Sequence, residues 1–424
     1  MRLSLAVLAL ALSACPANVG AIDSGTGGGA ATGGGAATGG GAATGGGAAT
    51  GGGAATGGGA ATGGGAATSD GGPAGAPAWR RGLVKWQWVE VPGSTLSTLQ
   101  VTNPLDNTMV APNGRIDAWN GLAANTDNNK LYLAAAGGHG DWAGNEVYEI
   151  DLSVDQPRWR ILRDPSPGNT ISVGVNYYSD GRPASTHLYY ALHFVRARNR
   201  VFKLSAGSVW GSGNESNSNV DGFDLTANDW DPAGTWDAGT PHNAAINRPY
   251  AQHPTTEDLY TFFGGAFRRW NAADATWELL AQKPNYANDD IVYGSASAVD
   301  PSRSRVIFVR NVYRSSMNQG LMLTTSGTLS DVTFSGTNLS DVFGAQHAMR
   351  WLASEDAFIF KTDSAGQVLR IDANTFVVSA QATTGPNPPD AVNGVFTRWQ
   401  YLPLLGGFAY LPSHSSNFWF LATE

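Results

Sequence analysis

From residue 79 onward the chain is a succession of short apolar runs broken by polar turns. Leu131-Tyr132-Leu133, Leu259-Tyr260-Thr261-Phe262-Phe263, Arg305-Val306-Ile307-Phe308-Val309 and Ala357-Phe358-Ile359-Phe360 are rich in β-branched and aromatic residues. Clusters of Gly, Pro, Asn and Asp lie between them. No long stretch carries a capped 3.6-residue apolar period. Such runs read as strands, and their regular spacing reads as a repeating all-β fold.

A recurring phrase organises these runs. An apolar strand leads into a tight polar turn, then into a second strand often ending in Gly. The turns are NTDNNK, VRARNR, HPTTED, DPSRSR, LASED and LPLLGG. The second strands centre near Leu131, Val201, Leu259, Val306, Phe358 and Phe408, about 47–70 residues apart, which is near the length of one propeller blade. The expected fold is therefore all-β, a β-propeller of six four-stranded blades, with seven as the alternative count. The segment VKWQWVEV has no partner nearby, while SNFWFLATE ends the sequence. Propellers are closed by pairing a strand from one end into the blade from the other, which also protects an open edge. Residues 86–91 are thus expected to complete the blade containing residues 407–421.

The first 78 residues follow different rules. Residues 3–12 form an apolar run that ends at Leu12-Ser13-Ala14-Cys15. It is too short to span a bilayer as a mature helix and reads as a processed signal. Residues 27–68 are seven tandem copies of GGGAAT, without charge, aromatic ring or large apolar side chain. Such a segment cannot bury enough surface to offset its chain entropy and is expected to be disordered. A tether of roughly 60 residues of this composition has an r.m.s. span of about 40–45 Å. The expected organisation is a signal over residues 1–14, an attachment Cys with linker over 15–78, and a folded domain over 79–424.

Composition narrows the function. All 14 Trp and all 7 His fall after residue 78. The formal net charge is −8, and no Lys/Arg cluster interleaves with aromatics, which disfavours nucleic-acid binding. Cys15 is the only cysteine, so no disulfide forms within the chain. No nucleophile elbow, Walker A loop or Rossmann fingerprint appears in a fitting context. No close HxH or HExxH spacing supports a metal site, and no cofactor is expected.

Two resemblances carry further. The run ending at Leu12-Ser13-Ala14-Cys15 resembles the signal and lipobox of bacterial lipoproteins, which implies acylation of Cys15 and attachment to a membrane outside the cytoplasm. Pro16, where Asp favours inner-membrane retention, leans this toward the outer membrane or cell surface. An ordinary secretory signal is the alternative. In the folded part, Gly137-Gly138 followed by Tyr148, Asp151 and Trp159 resembles a kelch repeat, as do Phe223, Asp224 and Trp230, and Gly264-Gly265 with Trp270 and Trp277. The region is similar to the propeller domain of galactose oxidase. The copper-radical chemistry of that family needs a Cys crosslinked to a Tyr, which Cys15 cannot supply.

Candidate chemistry lies in the loops leading into each innermost strand and after each second strand, which share one face. GRIDAWNG offers Arg115, Asp117 and Trp119, and GGHGDWAGNE offers His139, Asp141, Trp142 and Asn145. Later loops offer Arg182, His187, Arg248, Tyr250, Tyr293, Gln346, His347 and Arg398. Arg, His, Tyr and Trp around a cavity suit an anionic or hydroxyl-rich ligand. The leading expectation is a lipid-anchored binding module for a glycan or a protein. The alternative is a carbohydrate-active enzyme, most plausibly a polysaccharide lyase, with His187, His347, Tyr293 and Arg398 as candidate catalytic groups. Equally, these side chains can form buried hydrogen bonds near the axis of the fold.

Overall fold

A computed structural model describes residues 75–204, 207–212, 219–236, 248–263, 265–282, 295–309, 319–344 and 346–424. Cys15, the apolar run, the GGGAAT repeats and Tyr293 lie outside the described residues.

The described residues form six four-stranded blades arranged as a β-propeller. In chain order the second strands are Lys130–Ala134, Arg200–Lys203, Leu259–Phe263, Arg305–Val309, Ala357–Lys361 and Gly407–Tyr410. The six residues that mark them, Leu131, Val201, Leu259, Val306, Phe358 and Phe408, are all fully buried. Burying each such side chain contributes about 1.5–3 kcal/mol. The innermost strands are Ala123–Asn125, Leu192–Val195, Tyr250–Gln252, Ser297–Asp300, Ala348–Leu352 and Trp399–Leu402. They stand side by side around the axis. Gln252 Nε2 donates to Phe194 O at 2.7 Å, and Gln400 Nε2 to Leu122 O at 2.8 Å, tying neighbouring blades.

The turn from innermost to second strand is the same device six times. It closes on a left-handed residue in each blade: Asn129, Asn199, Glu257, Ser304, Asp356 and Gly406, with φ between 47° and 64°. Asn, Asp and Gly adopt this conformation most readily, which is why the polar turns punctuate the sequence so clearly. Aromatic side chains pack one blade on the next. Phe202 of blade 2 meets Trp270 of blade 3 at 4.8 Å between ring centroids, and Trp159 of blade 1 stacks on Phe418 of blade 6 at 5.8 Å.

Blade 6 is closed by the start of the domain. Trp88–Glu90 pairs antiparallel with Trp419–Ala422, with Trp88 opposite Leu421 and Glu90 opposite Trp419. Buried Arg80 reinforces the junction, donating to Leu405 O at 2.7 Å and Glu424 O at 3.1 Å. Blade 5 carries an extra parallel strand, Ser335–Gly336, on Val377–Ala380. Outside the blades sit a small hairpin, Val101–Thr102 with Met109–Val110, and a short antiparallel pair, Thr186–His187 with Gly207–Val209. No helix among the described residues is long and apolar enough to cross a membrane.

Candidate functional site

Antiparallel blades divide their connections between two ends. The six tight turns lie on one face. The longer loops, which carry the sequence-derived candidates, lie on the other.

On the loop face, blades 1 and 2 bring four candidates together. His187 lies between Asp141 and Tyr189: its Nε2–H donates to Asp141 Oδ2 at 2.8 Å, and Tyr189 Oη is 3.3 Å from Nδ1. The Trp119 ring lies 5.2 Å from the His187 ring and the His139 ring 5.9 Å, centroid to centroid. His139 Nδ1–H is fixed by Ser212 O at 2.7 Å. His187 is buried, and that burial holds its pKa below the ordinary value against the pull of Asp141. Its imidazole is therefore neutral at neutral pH, with Asp141 orienting the ring.

The sequence folds this way because glycine opens the path. Gly138 has φ +71°, and a Cβ there would stand 2.3 Å from Ser208 O and 2.5 Å from the His187 amide nitrogen. Only glycine lets the 137–142 loop run against the Thr186–His187 strand. Larger residues nearby also sit in the left-handed region: Trp119, His139, Tyr189 and Phe396 have φ of 53°, 44°, 50° and 48°. Each such conformation costs about 1–3 kcal/mol and persists where the surroundings over-determine it, a pattern that clusters at ligand sites.

Beside this cluster, between the 101–110 hairpin and the loops of blades 1 and 2, lies an open cleft of about 490 Å³. Trp142, Trp210, Asn103, Asn113, Gln100 and Asp141 contribute to its lining. Asp141 thus borders the cleft on one side and holds His187 on the other. Among the described residues, no Lys or Arg lines the cleft. Trp142 is set from behind by Arg115, whose guanidinium lies 3.2 Å from the ring centroid. Arg115 is itself fully buried and paired with Glu146 at 2.7 Å.

The remaining candidates stand elsewhere. Asp117 accepts from His414 Nδ1 at 2.5 Å and from the His414 amide at 2.8 Å, a second His–Asp pair at blade 6. Arg398 is fully buried and bound to Pro412 O and Val392 O at 2.9 and 2.6 Å. Burial brings its pKa down to about 10, against the pull of Tyr410 and Asp117. Arg248 is buried where the chain enters blade 3, close to Tyr250. Arg182 lies among Asp164, Asp180 and Asp229. Asn145 is buried on Ser166 and Pro183 O. His347 is buried against Phe360 in blade 5, and burial pushes its pKa down to about 4. With Gln346 it borders a separate polar cavity of about 390 Å³. Among the described residues, no group of three His, Cys, Asp or Glu is placed to hold a metal ion.

Tyr189, Trp210 and His414 escaped the sequence reading. Tyr189 follows His187 by two residues, and Trp210 sits in SVWGSG. Trp210 at the end of an apolar pair and before Gly211-Ser212 was the available signal.

No known family model matches the chain, and no curated protein matches it. Among solved structures it is similar to an auxiliary nutrient binding protein from Bacteroides ovatus, at 11% identity and a TM-score of 0.46, over 80% of this chain and 77% of that one. A second auxiliary nutrient binding protein, from Bacteroides thetaiotaomicron, is 10% identical with a TM-score of 0.43, over 73% and 69% of the two chains. A chain of a mitotic checkpoint complex gives 12% identity and a TM-score of 0.42, over 80% and 94%. Likenesses of this degree say nothing of what this chain binds.

Proposed function

We propose that this protein is a kelch-like binding module of the cell envelope, anchored through Cys15, that captures a neutral glycan in the cleft beside Trp142 and Trp210. The composition of that cleft is the observation that carries the reading. Half-buried Trp210 offers an apolar platform for a sugar ring beside the largely buried Trp142. Asn103, Asn113, Gln100 and Asp141 offer the amide and carboxylate groups that hydroxyls need. A carboxylate without a neighbouring cation favours a hydroxyl-rich neutral ligand over a uronate. The lyase alternative needs a cation at the substrate carboxylate, and the described residues of the cleft lining include none. The anchor rests on the residue 3–12 run and the position of Cys15.

A second reading, acid–base catalysis on the same face, draws on the His187–Asp141 pair with Tyr189. One experiment separates the two. The full chain is incubated with neutral and acidic polysaccharides, and both retained ligand and released products are measured. Retention of a neutral glycan without products, lost in Trp210→Ala, supports capture. Products that vanish in His187→Ala establish an enzyme and overturn the binding-module reading. Preference for acidic over neutral glycans refutes the charge argument.

A further inference from the structure

The axis of the propeller encloses a cavity of about 400 Å³ to which all six innermost strands contribute. On its loop-face side two described side chains cross the axis. Tyr190, leading into blade 2, reaches across to blade 5 and donates to His347 O at 2.6 Å. Phe396, leading into blade 6, packs edge-on against Tyr190 at 5.2 Å. The other end meets the turn face, where Arg196, Pro301 and Pro403 form part of the rim. The cavity thus reaches the face opposite the Trp142 cleft.

Its walls are largely apolar, with Phe194, Val299 and Met349 among them. Two polar groups in them stand without the partners such groups ordinarily have, half-buried Arg350 and buried Ser297. Arg350 makes one hydrogen bond, to Met349 O at 3.0 Å, and no carboxylate of the described residues pairs with it. Ser297 is 3% exposed, and its hydroxyl has no hydrogen-bond partner. Buried hydroxyls are ordinarily satisfied, and charges in apolar surroundings are ordinarily paired or hydrated. The other ionisable groups do not balance Arg350. Arg196 at the rim is taken by Asp127 at 2.7 Å and faces Glu257 at 3.7 Å. His193 is committed to Tyr190 O through Nε2 at 2.8 Å, and burial, with Arg350 beside it, pushes its pKa down to about 4. Burial brings Arg350 down to about 10, still charged at neutral pH. A half-buried positive charge thus stands in a largely apolar chamber with no ion-pair partner among the described residues, and a buried hydroxyl of the same wall has no hydrogen-bond partner among them either.

We propose that this axial cavity is a second binding site, for a small organic anion that presents a carboxylate or phosphate to Arg350 and Ser297. The planar guanidinium fork suits a two-oxygen acceptor, and the apolar walls suit a hydrocarbon or ring body. The cavity volume sits at the small end of ligand pockets, which limits the occupant to a compact molecule.

The test is calorimetric titration of the full chain with benzoate, phenyl phosphate and inorganic phosphate, with benzyl alcohol as the neutral control. At least one anion is expected to bind one-to-one while benzyl alcohol does not. Comparing benzoate, phenyl phosphate and inorganic phosphate identifies the acceptor group and whether an apolar body is needed. Arg350→Met is expected to weaken binding at least ten-fold, and Ser297→Ala by a few-fold, with glycan retention at the Trp142 cleft unchanged. If Arg350→Met does not fold, Arg350→Lys replaces it, keeping the charge and losing the fork. The proposal is overturned if no anion binds at millimolar concentration or if benzyl alcohol binds equally. It is also overturned if affinity survives both an Arg350 variant and Ser297→Ala.

Discussion

Replacing Glu146 by Gln tests whether a buried charge pair sets the cleft wall. Arg115 has no exposed side-chain surface and Glu146 only 1%. Arg115 Nε donates to Glu146 Oε1 at 2.7 Å, Tyr148 Oη donates to the same oxygen, and Arg115 Nη1 and Nη2 have no hydrogen-bond partner. The Trp142 ring covers the guanidinium at 3.2 Å. Glu146→Gln keeps the shape and removes the compensating charge, leaving the cation with only the π face. Breaking a buried pair in this way costs about 3–5 kcal/mol. An unfolding entropy of ~2.1 cal/mol/K per residue, over roughly 350 residues, gives about 0.7 kcal/mol/K, so Tm should fall by about 4–7 °C. Near-ultraviolet circular dichroism follows both unfolding and the tryptophan environment. Arg115→Met combined with Glu146→Gln removes the stranded cation and should recover part of the loss. A single-variant shift under about 1 °C, or no recovery in the pair, would refute the reasoning.

Two further outcomes follow from the geometry. Gly138→Ala should abolish glycan retention and lower Tm by a few degrees, because its Cβ meets backbone on the Ser208 and His187 side, whereas Gly140→Ala, with open space around it, should leave both unchanged. Wild-type retention in Gly138→Ala would disconnect the 137–142 loop from the cleft. Acid should also destabilise the domain through its buried histidines. Burial holds His193 and His347 at about 4, against 6.5 unfolded, so the unfolded chain takes up protons first. The stability from their neutral forms is complete above pH 6.5 and is lost as pH falls toward 4, by up to about 1.4 kcal/mol per unit per residue. Urea midpoints across that range should fall less steeply in His193→Gln and His347→Gln, and an unchanged slope would show that neither is buried neutral.

The six-fold repeat was legible because its cause is local. A left-handed turn residue selects Asn, Asp or Gly, and a buried second strand selects Leu, Val or Phe, so turn and strand announce each other within a few positions. The closing of blade 6 by the 86–91 segment could be read because an unpartnered strand at one end calls for an edge at the other. The loop chemistry was only partly legible. His187 and Asp141 are 46 positions apart, and Asp117 and His414 are 297 apart, so no spacing rule joins them. The hairpin that walls the cleft pairs only Val101 with Val110 and Thr102 with Met109, too short for an alternating pattern. Arg350 and His193 sit inside innermost strands, where AMRWL and LHFV read as core. Only the ring of blades turns those positions toward a shared axis.

The pairing of Trp88 with Leu421 joins residues 333 positions apart (421 − 88) and has a consequence for how the protein is made. The loop-closure entropy for that separation is about 5 kcal/mol, growing only slowly with length. Blades 1 to 5 can assemble as the chain emerges, but the ring cannot lock until Trp419–Ala422 has been synthesised. Until then Trp88–Glu90 waits as an unpaired strand, and afterwards its loss would leave the apolar Trp419–Ala422 edge open to another chain. A nascent chain stalled before Trp419 is therefore expected to be an aggregation hazard even with blades 1 to 5 complete.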